Sequence, residues 1–307
     1  MAIDLSWDDT TDQKMIRGTM HETFDSTEHP AYESWKNMYR AEKTDQYKVF
    51  MARYAGLEHG GVVAEGANIP TYDPKMGEEI SSTQVRYGSG FTITDMGKRF
   101  YKQIDPFKKM SKDLKKTQLE MKDIEVFKLW NDPLNGTYTN TGYDGLALLA
   151  NAHTCLDDSS TTYDNYVTTD LTTGSYEEAK IYFRTIVDDQ GYLNPKKMDT
   201  LVVPVQLETT AQQLMRSSNI PWEQSNTINT YKGMTDIFCA ERLTDDDAWF
   251  CLKKNDDDYG PYVKTSQEPD MKIQDAADTS RNTWVTSQQI FDYGFLDARL
   301  IYGSVPA

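Results

Sequence analysis

The sequence predicts a mixed α+β fold from which one extended stretch projects. Two observations predict the projection: a glycine-punctuated ribbon of alternating polarity over residues 57–93, and a lysine-rich helix over residues 94–131. Neither element carries enough apolar surface to bury itself within a small domain. A long two-stranded ribbon is marginal alone in water, so these features favour a subunit that packs against copies of itself over an enzyme.

The second half of the ribbon has the period-two pattern of a strand with one covered face. The positions on that face are Thr83, Val85, Tyr87, Ser89, Phe91 and Ile93. We predict an outgoing strand near residues 61–65 and a tip at residues 66–79, which hold two prolines and two glycines. At roughly 3.3 Å per residue, about a dozen residues in each strand give an arm on the order of 40 Å long. The alternative is a hairpin that lies flat on its own domain.

The helix that follows is predicted to bend or restart at Asp105, because Asp105-Pro106 supplies a cap and a proline suited to a first helical turn. Asp132-Pro133 ends it. Its apolar stripe is narrow and consists of Phe107, Met110, Leu114, Thr117, Met121 and Ile124. Such a stripe predicts a helix packed against a sheet on one side and hydrated on the other; a coiled-coil seam is the alternative.

Charge is distributed unevenly along the chain. The net charge is −16, yet residues 94–131 contain ten Lys+Arg against six Asp+Glu. The molecule as a whole therefore repels nucleic acid. A local basic face can still lie beside phosphates without reading sequence; its members are Lys108, Lys109, Lys112, Lys115, Lys116 and Lys122. The alternative is a solvated helix face with Glu/Asp–Lys pairs.

After Gly136 the sequence has mixed helix and strand patterns, which suits a chain of two domains with C-terminal strands returning to both. No apolar run is long enough to span a membrane. The three cysteines form no CxxC pair and indicate reduced thiols in a cytosolic product. No nucleotide-binding, metalloprotease or serine-hydrolase motif occurs, and the pair His153 and Cys155 is too weak a signal for a catalytic site. The acidic run at residues 255–260 lacks the ligands of a calcium loop.

Three stretches resemble the major head proteins of Mu-like phages. Residues 143–153 (YDGLALLANAH) resemble their DG-x-x-L-F-x-x-x-H stretch, and residues 201–211 (LVVPVQLETTA) resemble their LVVPP-x-LE-x-x-A segment. Residues 291–304 (FDYGFLDARLIYGS) are similar to their aromatic-Gly-x-x-Asp-x-Arg-x-Ile-x-Gly-Ser tail. The three stretches occur in this order behind the ribbon and the helix.

The resemblance implies the HK97-like capsid fold, an α+β fold with an N-terminal arm, an extended hairpin called the E-loop, a long spine helix, and peripheral and axial domains. The implied boundaries follow the chain. They are the N-terminal arm at 1–30, the start of the peripheral domain at 31–56, the E-loop at 57–93, the spine helix at 94–136, the axial domain at 137–255, peripheral strands at 256–290, and a C-terminal strand returning to the axial domain at 291–307.

The resemblance further implies a major capsid protein that self-assembles as pentamers and hexamers into the icosahedral head shell of a tailed bacteriophage, enclosing double-stranded DNA. This is a structural protein of the virion, assembled in the host bacterial cytoplasm, with no enzymatic activity, cofactor or metal. Its expected partners are copies of itself, other head proteins such as portal, scaffold or decoration protein, and packaged DNA through non-specific contact, with no membrane. The alternative is an encapsulin-like compartment of the same fold that encloses a protein cargo.

Two sets of residues are candidates for these contacts. Tyr87, Phe91 and Ile93 are expected to make intersubunit contacts from the E-loop. Lys108, Lys112 and Lys115 are expected to face DNA from the spine helix, which the resemblance places toward the shell interior.

Overall fold

The computed structural model describes residues 10–58, 60–73, 75–100, 105–136, 142–156, 161–220, 227–254, 260–275 and 281–306. Its helices are α1 (Thr10–Asp25), α2 (Asp95–Phe100), α3 (Asp105–Asn131), α4 (Thr173–Thr185) and α5 (Glu208–Arg216). Its strands are β1 (Arg40–Lys43), β2 (Lys48–Tyr54), β3 (Met76–Thr83), β4 (Val85–Ile93), β5 (His153–Thr154), β6 (Thr162–Tyr163), β7 (Tyr166–Val167), β8 (Thr200–Val203), β9 (Asp236–Cys239), β10 (Trp249–Leu252), β11 (Tyr262–Asp275), β12 (Thr283–Gly294) and β13 (Ile301–Ser304).

The first sheet has the strand order β1-β11-β12-β4. Its centre is the long antiparallel pair β11–β12, and β4 pairs with β12 along its whole length, from Ile93 opposite Thr283 to Val85 opposite Phe291. The strand predicted over residues 83–93 is therefore correct from Val85 onward, since Thr83 belongs to β3, but its place in a projecting hairpin is wrong. Alternation in a sequence identifies the covered face of a strand and leaves its partner undetermined.

The projecting hairpin consists of β2 and β3, with residues 55–75 between them. The two strands pair from Lys48 opposite Thr83 to Tyr54 opposite Met76. We call β2, β3 and residues 55–75 the arm, and residues 55–75 its tip. The predicted outgoing strand at residues 61–65 is wrong, because this glycine-bearing stretch has no regular structure and lies exposed in the tip. The arm therefore begins earlier and ends earlier than the predicted E-loop at 57–93.

Helix α3 begins at Asp105, as its capping residues predict, after the short helix α2. It packs against β12, β4 and β11. The predicted apolar stripe is only partly correct: Phe107 and Leu114 are buried, whereas Met110 and Ile124 are exposed. Polar side chains such as Gln118 complete the buried face in their place.

Helix α1 packs on α3, with Ile16, Met20 and Phe24 fully buried against Phe107 and Leu114. The described part of the predicted N-terminal arm is thus a helix that covers its own subunit. Residues 1–9 of that predicted arm lie outside the described residues.

The second sheet has the order β7-β13-β10-β8-β9, with β13 between β10 and β7. Alternate residues of β10 enter two different cores. Trp249 and Cys251 pack with the residues of α4 and α5, while Phe250 and Leu252 pack with Trp130 at the end of α3. The last turns of α3 therefore connect the core beneath the second sheet to that of the first.

Candidate intersubunit interface

The arm leaves large apolar side chains uncovered. Phe50 on β2 is 54% exposed and Met76 on β3 is 70% exposed, and in the tip Ile69 is 78% exposed and Val62 fully so. Isolated exposed apolar residues are ordinary on protein surfaces, but a group of them on one projecting hairpin indicates a binding surface. The uncovered surface expected of the ribbon is therefore present, on residues 48–83.

The three residues predicted to contact a neighbouring subunit lie elsewhere. Tyr87 stacks on Phe291 of its own chain, with ring centroids 4.5 Å apart. Phe91 packs against the core between α1 and α3, and Ile93 is 5% exposed in that core. Their assignment to the projecting hairpin is wrong because β4 is paired with β12, and burial within the subunit leaves Ile93 almost no surface for a neighbour.

A cluster of buried charges ties the arm to the body. Arg53 of β2 is 2% exposed. Its Nε donates to Asp189 Oδ2 at 2.7 Å, and one terminal nitrogen lies 2.6 Å from Asp189 Oδ1 and 2.8 Å from Asp297 Oδ2. The guanidinium also lies over the ring of Tyr143, 4.3 Å from its centroid. Arg53 therefore connects the arm to the loop after α4 and to the turn before β13.

The body supplies a second arginine to the same carboxylates. Arg299 donates to Asp189 Oδ1 at 2.7 Å, and its backbone N–H donates to Asp297 Oδ1 at 3.0 Å. Asp297 also accepts the hydroxyl of Tyr163 at 2.9 Å. Burial alone would raise the pKa of Asp297, but Arg53 and Arg299 more than offset it and hold that pKa below its ordinary value. We call Arg53, Asp189, Asp297 and Arg299 the root cluster.

Sequence reasoning missed the root cluster. Asp297 and Arg299 stand in the C-terminal stretch that resembles Mu-like head proteins, so a signal existed for two of its members. Arg53 carried none: it is one basic residue in the segment KVFMARY, where a charge on an alternating strand predicts a solvated position.

The predicted basic face of α3 is only partly accessible. Lys112 is exposed and Lys108 half-buried. Lys115 turns towards α1, with Nζ 4.7 Å from the ring centroid of Phe24, and its burial lowers its pKa. Lys122 is fully buried, with Nζ donating to Thr265 Oγ1 at 2.9 Å. Lys109 and Lys112 are thus exposed, and Lys108, Lys115 and Lys116 are half-buried. The inclusion of Lys122 in a solvent-facing surface is corrected, and the contact of Lys108, Lys112 and Lys115 with DNA stays a prediction.

The structure gives no support to nucleophilic chemistry at His153 and Cys155. His153 is fully buried, with Nδ1 2.5 Å from Asp144 Oδ2 and its ring stacked on Tyr163. Burial raises the pKa of the Cys155 thiol, which disfavours the reactive thiolate. No group of three potential metal ligands occurs within the described ranges, and the acidic run at 255–259 lies outside them.

None of the helices in the described part of the chain has the length and apolar character needed to cross a bilayer.

Solved structures that superimpose on this chain include capsids of a GTA particle and of a cyanophage. The capsid of the native GTA particle superimposes with a TM-score of 0.57 at 10% identity, over 92% of this chain and 92% of that chain. The capsid of cyanophage P-SCSP1u gives 0.54 at 10% identity, over 88% and 86%. A structure from Microbacterium phage Oxtober96 gives 0.53 at 10% identity, over 89% and 90%. The fold is therefore the HK97-like capsid fold, as the sequence resemblance implies.

The sequence itself then specifies the family. A family model described as "Phage capsid protein" matches residues 77–303, which is most of the chain and includes β4, β11 and β12 of the first sheet and nearly all of the second. The chain belongs to this phage capsid protein family. No curated protein matches its sequence.

Proposed function

We propose that this chain is the major capsid protein of a tailed bacteriophage related to the Mu-like head proteins. Many copies form pentamers and hexamers, and these close into an icosahedral shell around double-stranded DNA. The observation that carries the proposal is the exposed apolar surface of the arm, in a chain that belongs to the phage capsid protein family. Four of its side chains are uncovered within their own subunit: Phe50, Val62, Ile69 and Met76.

In the shell, a neighbouring subunit buries these exposed apolar side chains of the arm. Burying about 300 Å² of apolar surface per arm would contribute roughly 7 kcal/mol before the costs of ordering and association. Each contact is therefore weak alone, and the closed shell is stable because every subunit both gives and receives an arm. The subunits assemble in the host bacterial cytoplasm and remain in the virion, with portal, scaffold or decoration protein as partners.

The basic segment of α3 faces the packaged DNA. Lys108, Lys109 and Lys112 are the lysines of its first turns that reach solvent, and residues 94–131 are the net-positive part of a chain whose total charge is −16. Contacts of this kind neutralise phosphates without reading bases.

The role of the arm is tested by Ile69→Asp, which places a charge where the neighbour must bury an apolar side chain. We expect a folded subunit, because Ile69 is 78% exposed, and loss of closed shells under negative-stain microscopy. Asn68→Asp is the matched control: it adds the same charge at the adjacent exposed tip position and removes no apolar surface. Intact shells from Ile69→Asp would contradict the role of the arm.

The cargo is tested on particles purified from phage-producing cells. We expect an absorbance ratio at 260 and 280 nm typical of nucleic acid, and a lower ratio for Lys112→Glu. Lys128→Glu is the control, since Lys128 is exposed near the other end of α3 and pairs with Glu125. A ratio typical of protein in unaltered particles would instead indicate an encapsulin-like compartment with a protein cargo.

A further inference from the structure

We infer that Arg53 is a positioning residue for assembly: through the root cluster it fixes the direction in which the arm projects. This inference rests on the proposed function, because a fixed direction matters when the arm must meet a neighbouring subunit. It concerns a residue that contacts its own chain and lies outside the uncovered surface of the arm.

The first observation is the attachment of β2. Along this strand the side chains are exposed or half-buried, with one exception, and that exception is Arg53. It stands at an irregularity in the register, where the pairing of β2 with β3 shifts between Ala52 and Tyr54. The extra residue of this irregularity lies on β3, so β2 keeps its regular pleat. Arg53 continues the inward face of Val49 and Met51 and is the one buried side chain on that face.

The second observation is the geometry of the contact. Arg53 bonds both oxygens of Asp189 in a forked arrangement and reaches Asp297 as well, while Tyr143 covers the face of the guanidinium. Forked arginine–carboxylate pairs constrain orientation as well as distance. Rotation of the arm about its root would break all of these contacts of Arg53 at once. A purely apolar contact, by comparison, would allow the arm to slide.

The third observation is charge balance. The root cluster contains two arginines and two aspartates, and all four side chains are at most 8% exposed. Withdrawal of Arg53 would leave Arg299 to balance two buried carboxylates, which is unfavourable without water. The arm therefore has one docked direction rather than a continuous range of directions.

The fourth observation is the space beside the cluster. An open cavity of about 320 Å³ lies next to Arg53 and is lined in part by Tyr54, Gly56, Asp188 and Leu300. It leaves the arm room to tilt once Arg53 is released. The arm also contacts the body elsewhere, since the buried hydroxyl of Ser82 donates to Asp292, and the Arg53 variants separate the contribution of the root cluster from that contact.

The experiment measures the direction of the arm in the unassembled subunit. Spin labels are placed on cysteines introduced at Val62 in the tip and Ile181 on α4, both exposed, in a Cys239→Ser background that leaves only the buried Cys155 and Cys251. Pulsed dipolar spectroscopy then reports the distance distribution between the labels. We expect the distance distribution of this reference chain to show a single narrow peak, and we expect that narrow peak to be lost in Arg53→Met.

Two further variants control the result. Arg86→Met makes the same substitution at an exposed position of β4 and is expected to keep the narrow peak. Arg53→Lys keeps the charge and loses the fork, so it is expected to broaden the peak, and it replaces Arg53→Met if that variant does not fold by circular dichroism. A narrow peak in every folded Arg53 variant would overturn the inference.

Assembly is measured on Arg53→Met and Arg86→Met made in the unaltered chain, without the introduced cysteines. We expect Arg53→Met to lose closed shells by electron microscopy while Arg86→Met keeps them. Normal shells from a variant whose arm direction is broadened would also overturn the positioning role. If the unaltered chain formed no shells, the proposed function would fail, and the distance measurement would still decide whether Arg53 fixes the arm.

Discussion

Lys122 occupies an unusual place for a lysine, in the core beneath α3. Its Nζ lies 5.0 Å from the ring centroid of Trp35 and 5.3 Å from that of Phe291, and the nearest carboxylate, on Glu268, is exposed and 4.0 Å away. The two rings and Thr265 stabilise a cation that has no close buried counter-charge. Burial lowers the pKa of Lys122, because it penalises the charged form.

Replacing Lys122 with methionine should leave the protein as stable or stabilise it by up to about 2 kcal/mol at pH 7, since a poorly paired buried charge is removed. A folded-state pKa below the unfolded value means that wild-type stability gains from rising pH up to about 10.4, the ordinary lysine value. The advantage of Lys122→Met should therefore shrink as pH rises. Chemical denaturation of both proteins at several pH values measures it; an advantage that grows with pH would contradict the assignment.

Asp297 makes the stability of the protein depend on pH in the same direction as Lys122, but in the acidic range. Its pKa is held low by Arg53 and Arg299, so the stability it contributes is present above about pH 3.9 and is lost as pH falls through the folded-state pKa. Arg299→Met removes one of these cations, and burial then raises the pKa of Asp297. We expect a loss of about 3 kcal/mol at pH 7 and acid unfolding at a higher pH, followed by circular dichroism. An unchanged acid midpoint would show that Arg299 does not hold the carboxylate ionised.

For single residues, the sequence predicts local strand patterns but does not predict contacts between residues that are distant in the chain. The alternation that placed Tyr87, Phe91 and Ile93 on one face was correct, because burial of alternate residues is a local property of a strand. The contacts of Arg53 and Lys122 depend on partners far away in the chain, Asp189 and Thr265 among them. Charged residues are expected at the surface, so a buried cation leaves no periodic signal.

At the scale of the elements, strands β4 and β12 approach each other closely at Gly90 of β4. A Cβ on Gly90 would lie 2.6 Å from the backbone oxygen of Val285, which is closer than real contacts allow. Gly90→Ala should therefore force the two strands apart and cost about 1–3 kcal/mol.

Gly61→Ala is the matched control, because a Cβ at Gly61 meets nothing within 4 Å. Its effect should stay within about 0.5 kcal/mol. Urea denaturation of the two variants measures both values, and equal stability would contradict the close pairing of β4 with β12.

The sequence predicts the ends of α3 better than its buried face, and it predicts the position of the arm least well. Helix α3 was recognised because Asp105-Pro106 and Asp132-Pro133 mark its ends. Its buried face was predicted less well, since Ser111, Gln118 and Lys122 replace apolar residues beneath it. The arm was misplaced by one strand because β3 and β4 are separated by a single residue, so two strands in different sheets appear as one continuous ribbon.

For the whole molecule, net charge makes a prediction about assembly. Subunits of charge −16 repel one another, and screening shortens this repulsion from about 30 Å at 0.01 M salt to about 8 Å at 0.15 M. If apolar contacts of the arm drive association, the subunit concentration needed for shells should fall as salt rises from about 0.05 to about 0.5 M. Light scattering measures that concentration. Suppression of assembly by salt would indicate that ion pairs between subunits dominate.

The architecture was predicted from ordered motifs rather than from element patterns. The α+β class and the HK97-like fold are confirmed, because the resemblance spans residues in both sheets. The order β7-β13-β10-β8-β9 was not predicted, since strands of two to four residues carry little periodicity. The predicted boundary at residue 291 falls inside β12, which runs to Gly294, while β13 does lie in the second sheet.

The position of β13 has a consequence for synthesis of the chain. On the ribosome, β7, β8, β9 and β10 emerge well before residues 301–304, so β10 and β7 must wait for the strand that lies between them. An unpaired strand edge invites pairing with other chains. The nascent polypeptide thus carries an unpaired strand edge until residues 301–304 are free to pair with β10 and β7. Truncation before β13 should yield aggregates.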